Sequence, residues 1–240
     1  MSKNTPYYKS KLKEREEEIE ILQHIAQTVN YNWNLKNILS SIIQIVSSYT
    51  KSDSCFIYLV DDKVLTLQAS QNLHLTELGK IQIKKGEGVT GWVASHKKTA
   101  VIISKAYNDD RFKFFNTLPE DKYEAFLSVP ILFKDRVIGV INIQHKRSRK
   151  YQKEHIAFLE IIANQVGGAI ENARLVTETD LLKQAIETRK LIDKAKAMLI
   201  AQQGFSEQEA HALLIKKSMD SRKSLKEIAE AIILISEIKK

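Results

Sequence analysis

Apolar residues recur every three or four positions near both ends of the chain, whereas short continuous apolar runs fill its middle. In the first region, Leu12, Ile19 and Ala26 lie seven residues apart among charged side chains. This spacing predicts a helix over 8–30 with a short coiled-coil seam. Apolar residues on one side of 35–49 predict a second, amphipathic helix. The chain is therefore expected to begin with two helices.

The middle of the chain changes to a strand pattern, in which turn residues bound short apolar runs. The predicted strands are 55–60, 64–69, 81–83, 125–133 and 136–144. The segment from Gly86 to Ala94 is expected to be a glycine turn that leads into a helix, and 104–124 is expected to be a loop. Hairpin links and the separation of helices from strands indicate an α+β domain on an antiparallel sheet.

A long helix is predicted after the last strand, because 151–203 contains no proline and Gly167-Gly168 are its only internal glycines. A helix of about 50 residues would be roughly 75 Å long and would need a packing partner. The residues Ile162, Val166, Ala169, Ala173 and Val176 are spaced by four and three, which is typical of a seam between two helices. We therefore expect a homodimer through this helix and 8–30.

The end of the chain predicts two more helices. Ser206-x-x-Glu209 and Ser224-x-x-Glu227 have the capping-box spacing, so helices should begin near 207 and 225. The segment 224–230 is similar to the opening of a helix-turn-helix, but the apolar pattern continues as one helix to the chain end. Too few residues remain for a recognition helix in a DNA groove.

Three motifs in this region resemble the ANTAR domain, an RNA-binding module of bacterial transcription antiterminators. They are Glu187–Leu199, Gly204–Ala210 and Met219–Leu225, and the resemblance covers roughly 180–238. It implies binding to paired stem-loops in nascent mRNA, in the context of RNA polymerase, so that a terminator hairpin does not form.

Four segments in the first part of the chain look like a GAF domain, a module for small-molecule sensing and dimerisation. They are Gly86–Ala94, Ser128–Ile131, Val137–Ile141 and Leu159–Ala173, and the resemblance covers about 20–172. It implies a pocket between the sheet and the 104–124 loop. Candidate lining residues, each of which is also a plain core candidate, are Tyr58, Trp92, Phe112, Phe126 and Ile141. The ligand is not defined by the sequence.

Charge adds a candidate partner. The net charge of +8 favours an anionic partner. Between 188 and 226 the sequence contains nine Lys/Arg but only four acidic residues, a local excess that is typical of nucleic-acid binding. The predicted RNA-binding residues are Arg189, Lys190, Lys194, Lys196, Lys216, Lys217, Arg222, Lys223 and Ser224. Arg189 and Lys196 lie seven apart on one face, and Arg222 and Lys223 are expected to cluster with them. Ser224 is expected to cap its helix, with an RNA contact as a second role.

Other residue types disfavour catalysis and metal binding. The only cysteine, Cys55, lies in an apolar strand, and the six histidines are scattered without metal-ligand spacing. We find no nucleophile motif, so we expect no enzyme activity, no metal site and no haem. A membrane span and an apolar signal segment are also absent from the sequence pattern, which predicts a cytoplasmic protein.

The sequence therefore predicts a signal-responsive, homodimeric antiterminator with a long coupling helix. Its expected parts are an N-terminal coiled-coil-like helix (1–30), a GAF-like sensor (31–175) and an ANTAR-like RNA-binding domain with three helices (176–240). The alternatives are a DNA-binding transcriptional regulator, a catalytic GAF enzyme and a GAF scaffold that only dimerises.

Overall fold

The computed structural model of the chain describes residues 5–31, 34–72, 77–114 and 122–238. The chain forms two compact units, Met1–Arg174 and Leu175–Lys240. Part of the predicted 104–124 loop, residues 115–121, lies outside the described residues. The elements in chain order are α1 (Thr5–Tyr31), α2 (Leu35–Thr50), β1 (Ser54–Asp61), β2 (Val64–Ser70), β3 (Gln82–Lys84), α3 (Gly88–His96), β4 (Ala100–Ile102), a 3-10 turn (Ala106–Asn108), β5 (Ala125–Phe133), β6 (Arg136–His145), α4 (Lys153–Gln203), α5 (Glu207–Ser221) and α6 (Leu225–Ile238).

The first unit is built on one six-stranded antiparallel sheet in the order β3-β2-β1-β6-β5-β4. The long strands β1, β5 and β6 occupy its middle, with Tyr58 opposite Val140 and Val129 opposite Ile141. The predicted α+β class is thereby confirmed. Strand β4, at the edge of the sheet beside β5, was not predicted.

Each strand sends alternate side chains to opposite faces of the sheet, and each face has its own core. Residues such as Ile57 and Ile141 pack with α2 and α4 on one face. Their strand neighbours Tyr58 and Val140 pack with α3 on the other. Helices are needed on both sides because the central strands are apolar on both faces.

Helix α4 covers the first of these faces, and this corrects the predicted dimer seam. The residues Ile162, Val166, Ala169 and Ala173 are each at most 3% exposed and belong to the core of the first unit. The spacing by four and three was read correctly, but the partner of this stripe is the sheet of the same chain. The assignment of these four residues to a seam between two copies is therefore wrong.

The two adjacent glycines of α4 have different surroundings. A Cβ on Gly167 would collide with the carbonyl oxygen of Leu132 in β5, so only glycine permits this close approach of helix and strand. A Cβ on Gly168 would meet no atom within 4 Å. The first glycine is therefore required by packing, whereas the second weakens the helix without a contact in return.

A buried histidine lies at the end of β6. His145 is 3% exposed, its Nε2 has no hydrogen-bond partner, and its Nδ1 is 3.9 Å from Asp53 Oδ2. Burial, reinforced by the positive charge of Arg149, lowers the pKa of His145 to about 4. The side chain is therefore neutral at pH 7 in the folded protein.

The second unit has a small core of its own, formed by the end of α4 with α5 and α6. Its buried residues are Ala195, Leu199, Ala210, Leu214, Ala229 and Ile233. Both capping boxes form as predicted: Ser206 N and Oγ donate to Glu209 Oε2 at 2.8 and 2.7 Å, and Ser224 makes the same bonds to Glu227. Gly204, with φ of 72°, ends α4.

The glycine pair gives a first test of the packing of α4. Gly167→Ala should destabilise the first unit by about 1–3 kcal/mol, because the added methyl group displaces the helix from the sheet. The matched Gly168→Ala should stabilise it by about 0.5–1 kcal/mol, through helix propensity alone. Urea unfolding followed by tryptophan fluorescence checks both, since Trp92 packs against the core of this unit. Equal effects of the two substitutions would contradict the close approach.

His145 gives a second test, through the dependence of stability on pH. Its folded pKa lies below the value of about 6.5 expected for the unfolded chain, so its stabilising effect is complete above pH 6.5 and is lost as the pH falls towards 4. Relative to His145→Gln, the free energy of unfolding of the wild type should therefore decrease as the pH is lowered from 7.5 to 4.5, as measured by urea titration. The exposed His24→Gln serves as a control for the loss of a histidine as such. A constant difference between the wild type and His145→Gln would show that this side chain is not buried neutral.

Candidate nucleic-acid interface

The cations predicted to bind nucleic acid form two groups in the second unit, one on α4 and one at the end of α5. Arg189, Lys190, Lys194 and Lys196 lie on α4. Lys216 and Lys217 lie on α5, and Arg222 and Lys223 form the link to α6. The two groups differ in how far carboxylates neutralise them.

The α4 cations are largely tied to carboxylates. Lys196 Nζ lies 2.9 Å from Asp193 Oδ1 and 3.2 Å from Glu207 Oε1, and its side chain is only 17% exposed. Hydrogen bonds to these two acids raise the pKa of Lys196, with Asp193 as the larger cause. Lys194 pairs with Glu237 at 2.9 Å. Lys194 and Lys196 are therefore partly neutralised within the fold, and their role in RNA binding stays a prediction.

Arg189 is the most exposed of the paired α4 cations. Its Nε lies 4.0 Å from Asp193 Oδ2, at the limit of an ion pair, and its side chain is 87% exposed. A pair this long and exposed holds the guanidinium weakly. Arg189 and Lys196 lie on one helix face, as predicted, and both approach the carboxylate of Asp193. Arg189 is the more exposed of the two and is therefore easier for a phosphate to reach.

The cations at the α5–α6 turn have a different setting. Lys216, Lys217, Arg222 and Lys223 are all exposed. In the described part of the chain, no carboxylate lies within ion-pair distance of their side chains. We call these four residues the turn cations. They are better placed to neutralise phosphates than the paired lysines of α4, because no salt bridge has to break first.

The turn that carries them is fixed by hydrogen bonds. Arg222 has φ of 54°, and its N–H donates to Met219 O, while Lys223 N–H donates to Ser218 O. The Ser218 hydroxyl donates back to Lys223 O at 2.6 Å. Local side-chain bonds of this kind replace the helix bonds lost at the end of α5.

Ser224 is occupied by its capping role. Its hydroxyl donates to Glu227 Oε2 and accepts from Glu227 N–H at 3.2 Å. These bonds from Ser224 lower the pKa of the Glu227 carboxyl, so the cap is ionised at neutral pH. The structure thus supports the first of the two roles predicted for Ser224, and an RNA contact remains a prediction.

The sequence interpretation missed one residue of this surface. Met219, in the last turn of α5, is 74% exposed, the largest exposure among the exposed large hydrophobic residues of the described chain. It lies inside the Met219–Leu225 motif that carries the resemblance, but its apolar side chain gave no charge signal. Only the packing of α5 through Ala210 and Leu214 shows that Met219 lies away from the core.

The predicted ligand pocket of the first unit is brought together in part. Tyr58 and Phe126 are buried on the α3 face, and Trp92 and Phe112 pack against the same core. Ile141 packs on the opposite face with α2 and α4, so its inclusion was wrong. Residues 140 and 141 alternate across the sheet, and the pocket-side residue is Val140.

The rim of this α3 face carries a stacked polar group. The Arg111 guanidinium lies 4.8 Å from the centre of the Trp92 ring and forms an ion pair with Asp109 at 2.8 Å. The Arg111 hydrogen bond lowers the pKa of Asp109. Below the rim, Ser128 and Thr90 are linked through the buried amide of Asn142 at 2.7 Å each. Whether a ligand occupies this face stays a prediction.

The described residues also bear on the expectations about metal binding and membrane crossing. Among the described residues, no three His, Cys, Asp or Glu side chains lie close enough together to bind a metal ion. None of the helices in the described ranges combines the length and the apolarity that crossing a membrane requires.

Comparison with known proteins agrees with both resemblances. The GAF domain family matches residues 34–171, more than half of the chain, and the ANTAR domain family matches 180–233. A solved GAF domain from a Coxiella burnetii phosphoenolpyruvate-protein phosphotransferase is 27% identical, with a TM-score of 0.63, and covers 68% of this chain and 98% of that chain.

Two curated relatives match different parts of the chain. The nitrate regulatory protein of Klebsiella oxytoca is 42% identical over 57 residues, which are 24% of this chain and 14% of that protein. The phosphoenolpyruvate-dependent phosphotransferase system protein of Escherichia coli is 24% identical over 184 residues, which are 75% of this chain and 24% of that protein. The chain thus spans about a quarter of the length of this longer match.

The chain belongs to the GAF domain family and carries an ANTAR domain after its GAF domain. This combination supports a regulatory role of the antiterminator type with a sensing domain.

Proposed function

We propose that this protein is a homodimeric, signal-responsive antiterminator that binds paired stem-loops in nascent mRNA and prevents formation of a terminator hairpin. The observation that carries the proposal is the set of four exposed turn cations, which form no ion pair with any described residue, inside an ANTAR domain. Such cations release counterions when they contact phosphates, which is the main source of nucleic-acid affinity. Binding two stem-loops by one dimer would raise the effective concentration of the second.

RNA is favoured over DNA by the shape of the same region. A helix-turn-helix would need a turn and a second helix after 224–230. Instead, Leu225–Ile238 forms the single helix α6, whose Ala229 and Ile233 are buried in the core of the unit. Arginine side chains such as Arg222 suit the phosphates and splayed bases of RNA loops. A DNA-binding regulator is the competing hypothesis.

The dimer is supported by a face of α4 that differs from the one predicted. In the second unit, α4 exposes Leu175, Thr179, Leu182 and Ile186, spaced by four, three and four. This is the heptad spacing of a helix pair, and it has no partner in the described residues. We propose that a second copy of the chain covers this face, which we call the α4 heptad face.

Charge flanking the α4 heptad face favours a parallel pair in register. If Leu182 occupies a d position, Glu178 occupies g and Lys183 the following e position. In a parallel coiled coil, these two positions meet between the two helices. Glu178 of one copy would therefore pair with Lys183 of the other, twice per dimer.

The remaining parts of the proposal concern the sensor. We propose the division into 1–30, 31–175 and 176–240, a ligand site on the α3 face, and a regulatory signal carried by α4 rather than by catalysis. Antitermination would take place on transcripts held by RNA polymerase in the cytoplasm. A GAF domain that only dimerises is the competing hypothesis for the sensor.

The turn cations give the main test of RNA binding. Replacing Lys216, Lys217, Arg222 and Lys223 together with alanine should lower affinity for a selected RNA hairpin and flatten its salt dependence. The slope of log affinity against log salt should fall by about 3 units if all four contact phosphate. Replacing Lys194 and Lys196 should have a smaller effect, because carboxylates already neutralise both.

A charge-matched control is available in the first unit. Lys80, Lys84, Lys85 and Lys98 are exposed, and their replacement with alanine changes net charge equally. This control should bind RNA almost as the wild type does. Wild-type affinity in the turn variant would refute the site. Equal competition by duplex DNA and hairpin RNA would favour the DNA-binding hypothesis.

The α4 heptad face gives a test of the dimer. Leu182→Lys should shift the sedimentation equilibrium towards monomer, whereas Leu181→Lys should not. Leu181 and Leu182 are 63% and 59% exposed, but only Leu182 lies on the heptad face. Glu178→Lys and Lys183→Glu should each weaken the dimer, and their combination should restore it. A dimer insensitive to Leu182→Lys, Glu178→Lys and Lys183→Glu would place the interface elsewhere.

A further inference from the structure

The loop between β6 and α4 carries the densest positive charge of the first unit. Residues 146–150 read Lys-Arg-Ser-Arg-Lys, and no acidic residue occurs between 146 and 153. All five residues are exposed. We call Lys146, Arg147, Arg149 and Lys150 the basic loop. Like charges held this close repel one another, so the arrangement lowers the stability of the fold unless an anion neutralises it.

The arginines of the first unit separate into two groups. One group forms ion pairs with carboxylates of the same unit and consists of Arg15, Arg111, Arg136 and Arg174. The other group is Arg147 and Arg149, which form no ion pair with any described residue, and the same holds for the two lysines of the basic loop. Both guanidinium groups therefore keep their planar set of N–H donors for a partner, and this geometry suits phosphate oxygens.

Hydrogen bonds hold the backbone of the basic loop to the sheet. Lys146 N–H donates to Asp53 Oδ2 at 2.8 Å, and Arg149 N–H donates to Ile103 O at 2.9 Å. The Lys146 ammonium lies 5.7 Å from the centre of the Tyr123 ring, which fixes the direction of this side chain as well. A loop that is held in this way loses less entropy when a partner binds to it.

We propose that the basic loop binds the phosphates of the single-stranded RNA that continues from the hairpin bound by the second unit. The inference rests on the proposed RNA-binding function and adds to it a second contact with the transcript, made by the sensor unit. Two contacts with one RNA strengthen each other, because the first raises the effective concentration of the second. Phosphate contacts carry no sequence information, so the basic loop adds affinity and does not select the hairpin.

A membrane surface is the main competing partner, since a polybasic stretch also attracts anionic lipids. Stable attachment to a membrane needs a second signal beside the basic residues, such as an apolar helix face or a lipid chain. RNA meets the same need for a second contact within this chain, through the turn cations. The two kinds of partner are separated by the experiment below.

Two forms of one RNA test the basic loop in the full-length chain. The probes are the selected hairpin alone and the same hairpin with single-stranded extensions of increasing length on either side. Replacing all four residues of the basic loop with alanine should leave binding of the bare hairpin almost unchanged. Binding of the extended hairpin should weaken about ten-fold, and its salt slope should fall by about 3 units, because each phosphate contact in a single strand contributes about 0.7.

Three further variants separate the basic loop from net charge and from folding. The charge-matched control, which should bind both RNAs almost as the wild type does, replaces Lys80, Lys84, Lys85 and Lys98 with alanine. Arg147→Lys combined with Arg149→Lys retains the charge and should keep most of the salt slope. Arg147→Ala combined with Lys150→Ala serves if the fourfold variant misfolds, because neither side chain forms a hydrogen bond or ion pair with the described residues. It should produce about half of the loss in slope.

Several outcomes would overturn the inference. Wild-type affinity of the fourfold loop variant for every extended hairpin would do so, as would a loss no larger than that of the charge-matched control. An equal loss on the bare and the extended hairpin would also contradict a contact with the flanking strand. Sedimentation of the wild type, but not of the loop variant, with phosphatidylserine vesicles, while RNA binding stays unchanged, would assign the basic loop to a membrane. Failure of the wild-type chain to bind any hairpin, or full binding by the turn variant, would instead refute the proposed function, and the inference would fall with it.

Discussion

Burial of both faces of one antiparallel sheet is the constraint on which the first unit depends. The central strands are apolar on both sides, so one face needs α3 and the other needs α2 and α4. The close contact of Gly167 with the Leu132 carbonyl sets how near α4 lies to that sheet. Helix α4 begins in this unit as part of its core and ends as part of the core of the second unit, at Ala195 and Leu199.

This role of α4 decides which of its faces is available for other contacts. The stripe through Ile162 and Val166 packs against the sheet of the same chain. In the second unit, α4 keeps an exposed row of apolar side chains at heptad spacing, formed by Leu175, Leu182 and Ile186. A dimer built on the α4 heptad face would leave the sensor core intact, whereas a dimer built on the buried stripe would require unfolding it. One side of α4 can therefore stabilise the fold of its own chain, while another side is free to pair with a second copy.

Electrostatics in the second unit follows a similar division. Carboxylates on α4, α5 and α6 pair with Lys194 and Lys196, which stabilises the way the helices fold back on one another. The turn cations lie where α5 ends, and no carboxylate of the described residues is within ion-pair distance of them. The positive charges of Lys194 and Lys196 thus stabilise the fold, whereas those of the turn cations can interact with a partner. The formal charge of the region, counted along the chain, does not make this distinction.

The sequence by itself determined the element types, both capping boxes and the two domain families, because these depend on local periodicity and short motifs. Tertiary structure alone decided which partner covers the Ile162–Ala173 stripe, on which face Ile141 lies and which lysines are neutralised. These features depend on contacts between residues far apart in the chain, such as Lys194 with Glu237. Local spacing fixes that a stripe is apolar or basic, but only the packed fold determines what lies opposite it.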